Sequence, residues 1–309
     1  MSTLNHTEKS ATGKTAALDN AGGWFPVVVL VTALCVSGWF YLVAMIVDMI
    51  PAMDMSEAGP GMGLFNQFNL FHGLSDQARA ALAVLCLPVG STFGMPTAAL
   101  GYADLGKIFL MWAMMALAMM LPSAMPMLRA YHRYRSADAK STITLETCLV
   151  ILGYLVVWFG YAVVATAAQW ALSKLGALTD MMAPASLTLT TSVLIAAGLY
   201  QFTPAKRACL RRCWYPRWAF GSAGGQSTTF FAFREGIAQG WICLGCCWAV
   251  MTVMFAVGLM NVIWIALLGS IMALEKTFPS RVFPAVIGLF LLSWGSLLAA
   301  GILLGRVSS

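Results

Sequence analysis

Histidine and charge are both scarce in this chain of 309 residues, and each shortage closes off a class of function. The histidines are His6, His72 and His132. Imidazole is the usual ligand of redox-active copper and non-haem iron, so a complete oxygen-activating centre is not expected within this chain alone. Charged residues make up 10% of the sequence against 60% hydrophobic ones, and the mean hydropathy is +0.80. A soluble domain of this size needs far more charge to cover its surface, so the chain reads as an integral membrane protein with the lipid bilayer as its first partner. The net charge of +6 then bears on topology and not on nucleic acid. No glycine-rich phosphate loop occurs, which argues against ATP-driven transport. None of the long apolar runs carries an ionisable residue at its centre, which argues against proton-driven transport; Glu275-Lys276, at the inner end of the sixth run, reads as a local ion pair or a lysine reaching for solvent.

Long apolar runs, by contrast, are plentiful. Crossing a hydrocarbon core of roughly 30 Å takes about 20 helical residues at roughly 1.5 Å each. On that measure seven spans are expected, at about 24–49, 108–128, 145–172, 182–202, 240–258, 261–274 and 283–304, giving an all-α polytopic transmembrane bundle. Residues 1–23 are polar and Ser/Thr-rich and are expected to be a disordered cytoplasmic tail, leaving 24–309 as the transmembrane domain. Residues 50–106 form a long outer loop. Within it 80–100 is apolar but broken by Pro88, Gly90, Gly94 and Pro96, and reads as interfacial or re-entrant.

Of the 18 Lys and Arg residues, only Arg79, Lys107, Lys174 and Arg306 fall on the side opposite the N-terminus. The other 14 share its side, and every loop there is basic. The bias places the chain in an inner membrane with its N-terminus in the cytoplasm and its C-terminus outside.

Soft ligands gather at both faces of this scheme. Met111, Met115 and Met119 recur every four residues along the uncharged run from Ile108 to Leu128, with Met114 on the flank. Such a stripe serves either as packing or as a path for a soft metal. Met45 and Met49 end the first span at the same depth as Met111, Met114 and Met115 begin the second. Asp48 and the Met53-Asp54-Met55 segment lie at the same boundary, completing a candidate outer site. Thioethers select Cu(I), and the alternative is a methionine-packed interface capped by an interfacial Asp. At the inner face, Cys209 and Cys213 follow the fourth span, and Cys243, Cys246 and Cys247 open the fifth. Each group shares a helix face. In a reducing cytoplasm these are free thiols or metal ligands, and Arg207, Arg211 and Arg212 beside the first pair favour thiolate. Ordinary buried packing is the competing reading. Cys35, Cys86 and Cys148 stand alone and read as packing.

Several of these elements together resemble a known family. They are Trp112-Ala-Met114-Met115-Ala-Leu-Ala-Met119-Met120-Leu-Pro122, then Gln201-Phe-Thr-Pro204-Ala-Lys206-Arg207-Ala-Cys209-Leu-Arg-Arg-Cys213, then Gly240-Trp-Ile-Cys243-Leu-Gly-Cys246-Cys247-Trp248, Met260-Asn261 and Leu274-Glu275-Lys276. In this order, over residues 105–278, they are similar to the bacterial family of predicted metal-binding integral membrane proteins, a domain of unknown function. The resemblance implies metal binding, with copper the metal favoured, and supplies no established reaction.

Three functions follow. The first is metal handling or assembly, in which the chain passes Cu(I) between its two faces to a metallochaperone or metalloenzyme partner. The second is a subunit of a membrane copper enzyme such as an oxygenase, with metal near Asp48, Asp54 and His72. The third is a metal-free structural subunit. The histidine shortage ranks the first above the second, and the lack of a phosphate loop and of a mid-membrane carboxylate ranks a chaperone above a pump. Topology is the expectation on which every depth argument depends. A reporter active only outside the cytoplasm should be active when fused after Ser309 and silent after Ala219. The reverse pattern would move the cysteines to the outer side.

Overall fold

The computed structural model describes residues 4–50, 54–68, 102–136, 143–179, 182–216 and 229–305, with side chains from Gly23 and, in the third stretch, from Asp104. The fold is all-helical. In chain order it runs α1 (Leu4–Met49), two short 3-10 turns (Met55–Ala58 and Met62–Phe68), α2 (Tyr102–Met115), a π turn (Ala116–Met120), α3 (Leu121–Ser136) and α4 (Ile143–Lys174). There follow α5 (Leu187–Gln201), α6 (Pro204–Trp214), α7 (Thr229–Thr252), α8 (Met254–Val257), α9 (Val262–Thr277) and α10 (Val282–Leu303). No strand occurs among the described residues.

Among the described residues, five stretches are long and apolar enough to cross a membrane: Gly23–Met49, Asp104–Arg135, Ile143–Lys174, Thr229–Val257 and Val282–Leu303. The other two expected spans form helices of 15 and 16 residues, α5 and α9, so the count of seven is approximate. The fourth is short because Met182–Ser186 is not helical. There Pro184 pairs with Leu178 in an isolated bridge, and the Ser186 hydroxyl then caps the Leu189 amide at 3.2 Å. The expected re-entrant segment 80–100 lies outside the described residues. Residues 4–23 of the stretch expected to be a tail fall within the bounds of α1.

Two close contacts set the frame. Close to its midpoint α1 meets α3, where Trp24 packs on His132 at a ring-centroid separation of 5.3 Å. Further along, Gly38 lies so near the backbone that an added methyl group would come within 2.8 Å of the Met114 carbonyl oxygen. Residues 24 and 38 therefore meet 132 and 114 in antiparallel order. The second contact joins α4 to α7. A methyl group at Gly153 would strike the Phe233 carbonyl, and one at Gly236 the Val150 carbonyl. Gly236 and Gly240 form a small-xxx-small face that lets the two backbones touch.

At the end of the bundle opposite the Trp24–His132 contact, the loop around Pro60 is pinned by side chains. Asn261 donates from Nδ2 to the Pro60 carbonyl at 2.9 Å and caps α9 by accepting from the Trp264 amide at 3.2 Å. The Asp54 carboxylate accepts from the Ser56 amide at 2.8 Å and from Asn66 Nδ2 at 2.6 Å, which shapes the loop and buries Met55 and Met62 beneath it.

The backbone contact of α4 with α7 predicts a sharp asymmetry. Gly236→Val should cost about 1–3 kcal/mol or more by forcing the helices apart. Gly160→Val on α4, where an added methyl group meets open space, should leave thermal unfolding in detergent unchanged. Equal effects of the two substitutions would show that the contact does not hold the pair together.

Candidate metal centre

Helix α7 presents Cys243, Cys246 and Cys247 at i, i+3 and i+4, and its face turns them into the core. Their Sγ atoms lie within 4.8 Å of one another, and all three residues are buried. Cys246 Sγ is 3.4 Å from Cys247 Sγ and 3.1 Å from the Cys243 carbonyl oxygen. The sequence reading put this group at the opening of a span, because the apolar run begins at Gly240. The helix instead begins at Thr229 and carries Arg234, Glu235 and Gln239 within it, so the thiols lie in its second half.

A fourth thiol comes from α6. This helix starts on a Thr203 cap, whose hydroxyl accepts from the Lys206 amide at 3.2 Å, with Pro204 in the first turn where its missing N–H costs nothing. It is held down by Lys206, whose ammonium is 2.9 Å from Glu275 Oε1 and 3.0 Å from Oε2, both side chains being fully buried. Trp214 Nε1 donates to the Glu275 carbonyl at 2.9 Å. So tethered, α6 brings Cys213 Sγ to 3.7 Å from Cys246 Sγ. Cys209, one turn earlier, packs its sulfur over Gly245 and stands outside the trio.

The trio is flanked by a polar group of a kind that isolated packing cysteines do not need. The Lys276 ammonium donates to Cys243 Sγ at 2.7 Å and to Ser123 Oγ at 2.9 Å. Ser123 Oγ in turn donates to the Met120 carbonyl at 2.7 Å, and the Tyr154 hydroxyl lies 3.1 Å from the same carbonyl and 2.9 Å from Cys243 Sγ. Between them is a cavity of about 20 Å³, room for one water-sized occupant, lined by Ser123, Met127, Tyr154, Cys213, Cys243 and Lys276. On sequence, Glu275-Lys276 reads as a local ion pair or a lysine reaching for solvent. The structure corrects both readings. Successive helical residues point about 100° apart. Glu275 therefore faces α6 and Lys276 faces α7.

The outer candidates are placed differently. Met45, Met49, Met111 and Met115 are all buried in one core with Met55, Met62, Met254 and Met260, while Met114 and Asp48 are half-buried. From the Gly38 contact, the antiparallel register sets Met45 about 10 Å further toward the loop, beside the turn that holds Met111. Asp54 is engaged by the loop's own hydrogen bonds. Met182, on no sequence-based list of ligands, has its sulfur 3.2 Å from Gln169 Nε2, and Gln169 Oε1 accepts from Trp112 Nε1 at 2.7 Å. Among the described residues, the one cluster of three or more Cys, His, Asp or Glu ligand atoms is the thiol trio.

The donor chemistry suits a soft monovalent ion: several thiols at short mutual distance, no imidazole, and a cation beside them to offset the charge they would carry as ligands. A family model described as PpoB2, copper chaperone, matches residues 109–298, which take in all five of these cysteines and Lys276. The chain belongs to the PpoB2 copper chaperone family. No curated protein and no solved structure shows significant similarity to it. Membership agrees with the metal-binding family that the motifs resemble. Copper handling is thus the class of function that the family assigns to the chain.

Sequence reasoning found the five cysteines but not Tyr154, Ser123 or Lys276 as their neighbours. Lys276 carried a signal, since Leu274-Glu275-Lys276 is among the motifs that resemble the family. The Lys206–Glu275 pair yields a test of how α6 is held. Glu275→Gln leaves a buried ammonium unpaired and should destabilise the protein by about 3–5 kcal/mol. Replacing both residues together, Lys206→Met with Glu275→Leu, should recover most of that loss in a chemical-denaturation or thermal-shift measurement. A double variant as unstable as the single one would remove charge pairing as the tether.

Proposed function

We propose that this protein is embedded in a membrane and carries Cu(I) on the thiols of Cys243, Cys246 and Cys247, with Cys213 as the adjoining ligand, for delivery to a partner metalloprotein or metallochaperone. The observation that carries the reading is the buried trio with Lys276 against it, in a chain of copper chaperone family. Each thiol that binds the ion gives up its proton, so a filled site of two or three thiolates carries net negative charge. Burying that charge is costly unless a counter-charge is at hand, and the Lys276 ammonium is already within hydrogen-bonding distance of Cys243. Cu(I) tolerates the low coordination number that three or four converging sulfurs offer.

The membrane part of the proposal draws on the five long apolar helices and on the exposed apolar faces of α1 and α10, where Phe40, Val47, Phe290 and Leu297 point outward. Following the distribution of Lys and Arg, the thiol-bearing end of α6 faces the cytoplasm. There the half-buried Cys209 and Cys213 are the thiols that a partner would meet first.

Copper content of the purified protein, by mass spectrometry under reducing conditions, tests the assignment. Cys243→Ser and Cys246→Ser should each abolish tight Cu(I) binding, and bound copper should shield at least two of the trio and Cys213 from alkylation. Lys276→Met should weaken binding by about 10–100-fold, the usual effect of removing an outer-shell partner. Cys148→Ser should change nothing. Copper retained by a Cys243→Ser, Cys246→Ser, Cys247→Ser triple variant would overturn the site.

A further inference from the structure

The π turn in the middle of the second apolar stretch has a consequence for the methionines on either side of it. In a straight α-helix the column that starts at Met111 and Met115 continues through Met119 to Pro122. The π turn at Ala116–Met120 inserts one residue. Met120 then stacks over Met115, and the column runs on through Ser123, Ala124 and Met127. Those three residues line the cavity beside Cys243. Met119 is turned aside onto α9, where its Cγ lies about 3.2 Å from the place a methyl group on Gly269 would take. The turn has a local cause. Pro122 has no N–H for the carbonyl of Ala118, four residues back. That carbonyl instead lies 3.7 Å from the Cys35 thiol.

Met111, Met115 and Met120 are all buried. The column begins in the methionine-rich core under the Pro60 loop and ends where the Met120 carbonyl is gripped by Ser123 and Tyr154, whose other partners are Lys276 and Cys243. Met120 and Cys243 both lie near the midpoints of their apolar stretches.

We propose that Met111, Met115, Met120 and Met127 form a track along which Cu(I) passes between the loop end of the bundle and the thiol trio, so that the protein moves copper through its own core as well as holding it. The proposal rests on the reading that the trio binds Cu(I). Each step forms one Cu–S bond as another breaks. The ion stays monovalent, no electron is transferred, and protons move only where a thiol becomes a ligand. A thioether is neutral and binds more weakly than a thiolate. The column therefore passes the ion on, and the thiols hold it until a stronger chelator on their far side takes it.

Passage is tested in liposomes that carry the full chain, with Cu(I) supplied outside as its acetonitrile complex and a Cu(I) indicator, bathocuproine disulfonate, trapped inside. The wild-type chain should colour the indicator faster than protein-free liposomes. Met115→Leu with Met120→Leu nearly conserves volume but removes both central sulfurs, and should slow passage by about tenfold or more. The same double variant in detergent should bind as much copper as the wild type, because the trio is untouched. Met125→Leu, half-buried and off the column, should pass copper at the wild-type rate. An unchanged rate in the double variant, or a wild-type rate equal to that of bare liposomes, would overturn the track while leaving the copper content of the thiol site as it was. A wild-type chain that holds no copper in detergent would overturn the thiol site and the track with it.

Discussion

A lysine ammonium buried against a cysteine sulfur is the contact around which this molecule is arranged. A charge taken out of water is costly unless it meets an opposite charge and hydrogen bonds. Lys276 has Cys243 Sγ at 2.7 Å and Ser123 Oγ at 2.9 Å. Meeting that demand draws three elements together: α9 supplies the lysine, α7 the thiol, and α3 the serine. Tyr154 from α4 closes the group at 2.9 Å from the same sulfur, which requires α4 and α7 to lie as close as Gly153 and Gly236 allow. The glycines are thus part of the site in an energetic sense, although neither touches it.

The same dipeptide holds the fourth thiol in place. Glu275 precedes Lys276 and faces the other way, into the ion pair with Lys206 that fastens α6. Buried ion pairs contribute little net stability compared with apolar packing, but breaking one is costly, so they act mainly as positional constraints. Here the constrained position is that of Cys213, 3.7 Å from Cys246. Two consecutive charges on α9 therefore govern the thiols on two different helices.

How much of this was legible in the sequence varies with the range of the interaction. The face shared by Cys243, Cys246 and Cys247 could be read directly, because i, i+3 and i+4 spacing within one helix fixes it. That Cys213 rather than Cys209 would meet the trio could not, since it depends on how α6 is held across a gap of many residues. Lys276 was misread because a lysine near a helix end usually reaches water, and nothing local marks one that turns inward. The methionine stripe was visible, but its path was not. A 3.6-residue period was assumed through Ala116–Met120, where the backbone takes one residue more per turn. Pro122 was the available clue. Pro184 was the equivalent clue that the fourth apolar run would yield only a short helix.

That extra residue also explains why the two sulfur-rich regions, separate in the sequence, become one system in the fold. Without it, the face of the second apolar stretch that bears Met111 and Met115 would turn away from α7 before reaching the level of Cys243. With it, the outer half presents thioethers and the inner half presents Ser123 and Met127 to the same cavity. The helix thus changes register where the chemistry changes, from neutral sulfur to thiol and ammonium. A proline placed two residues after the π turn makes that change a property of the backbone, so the alignment does not depend on how any single methionine side chain packs.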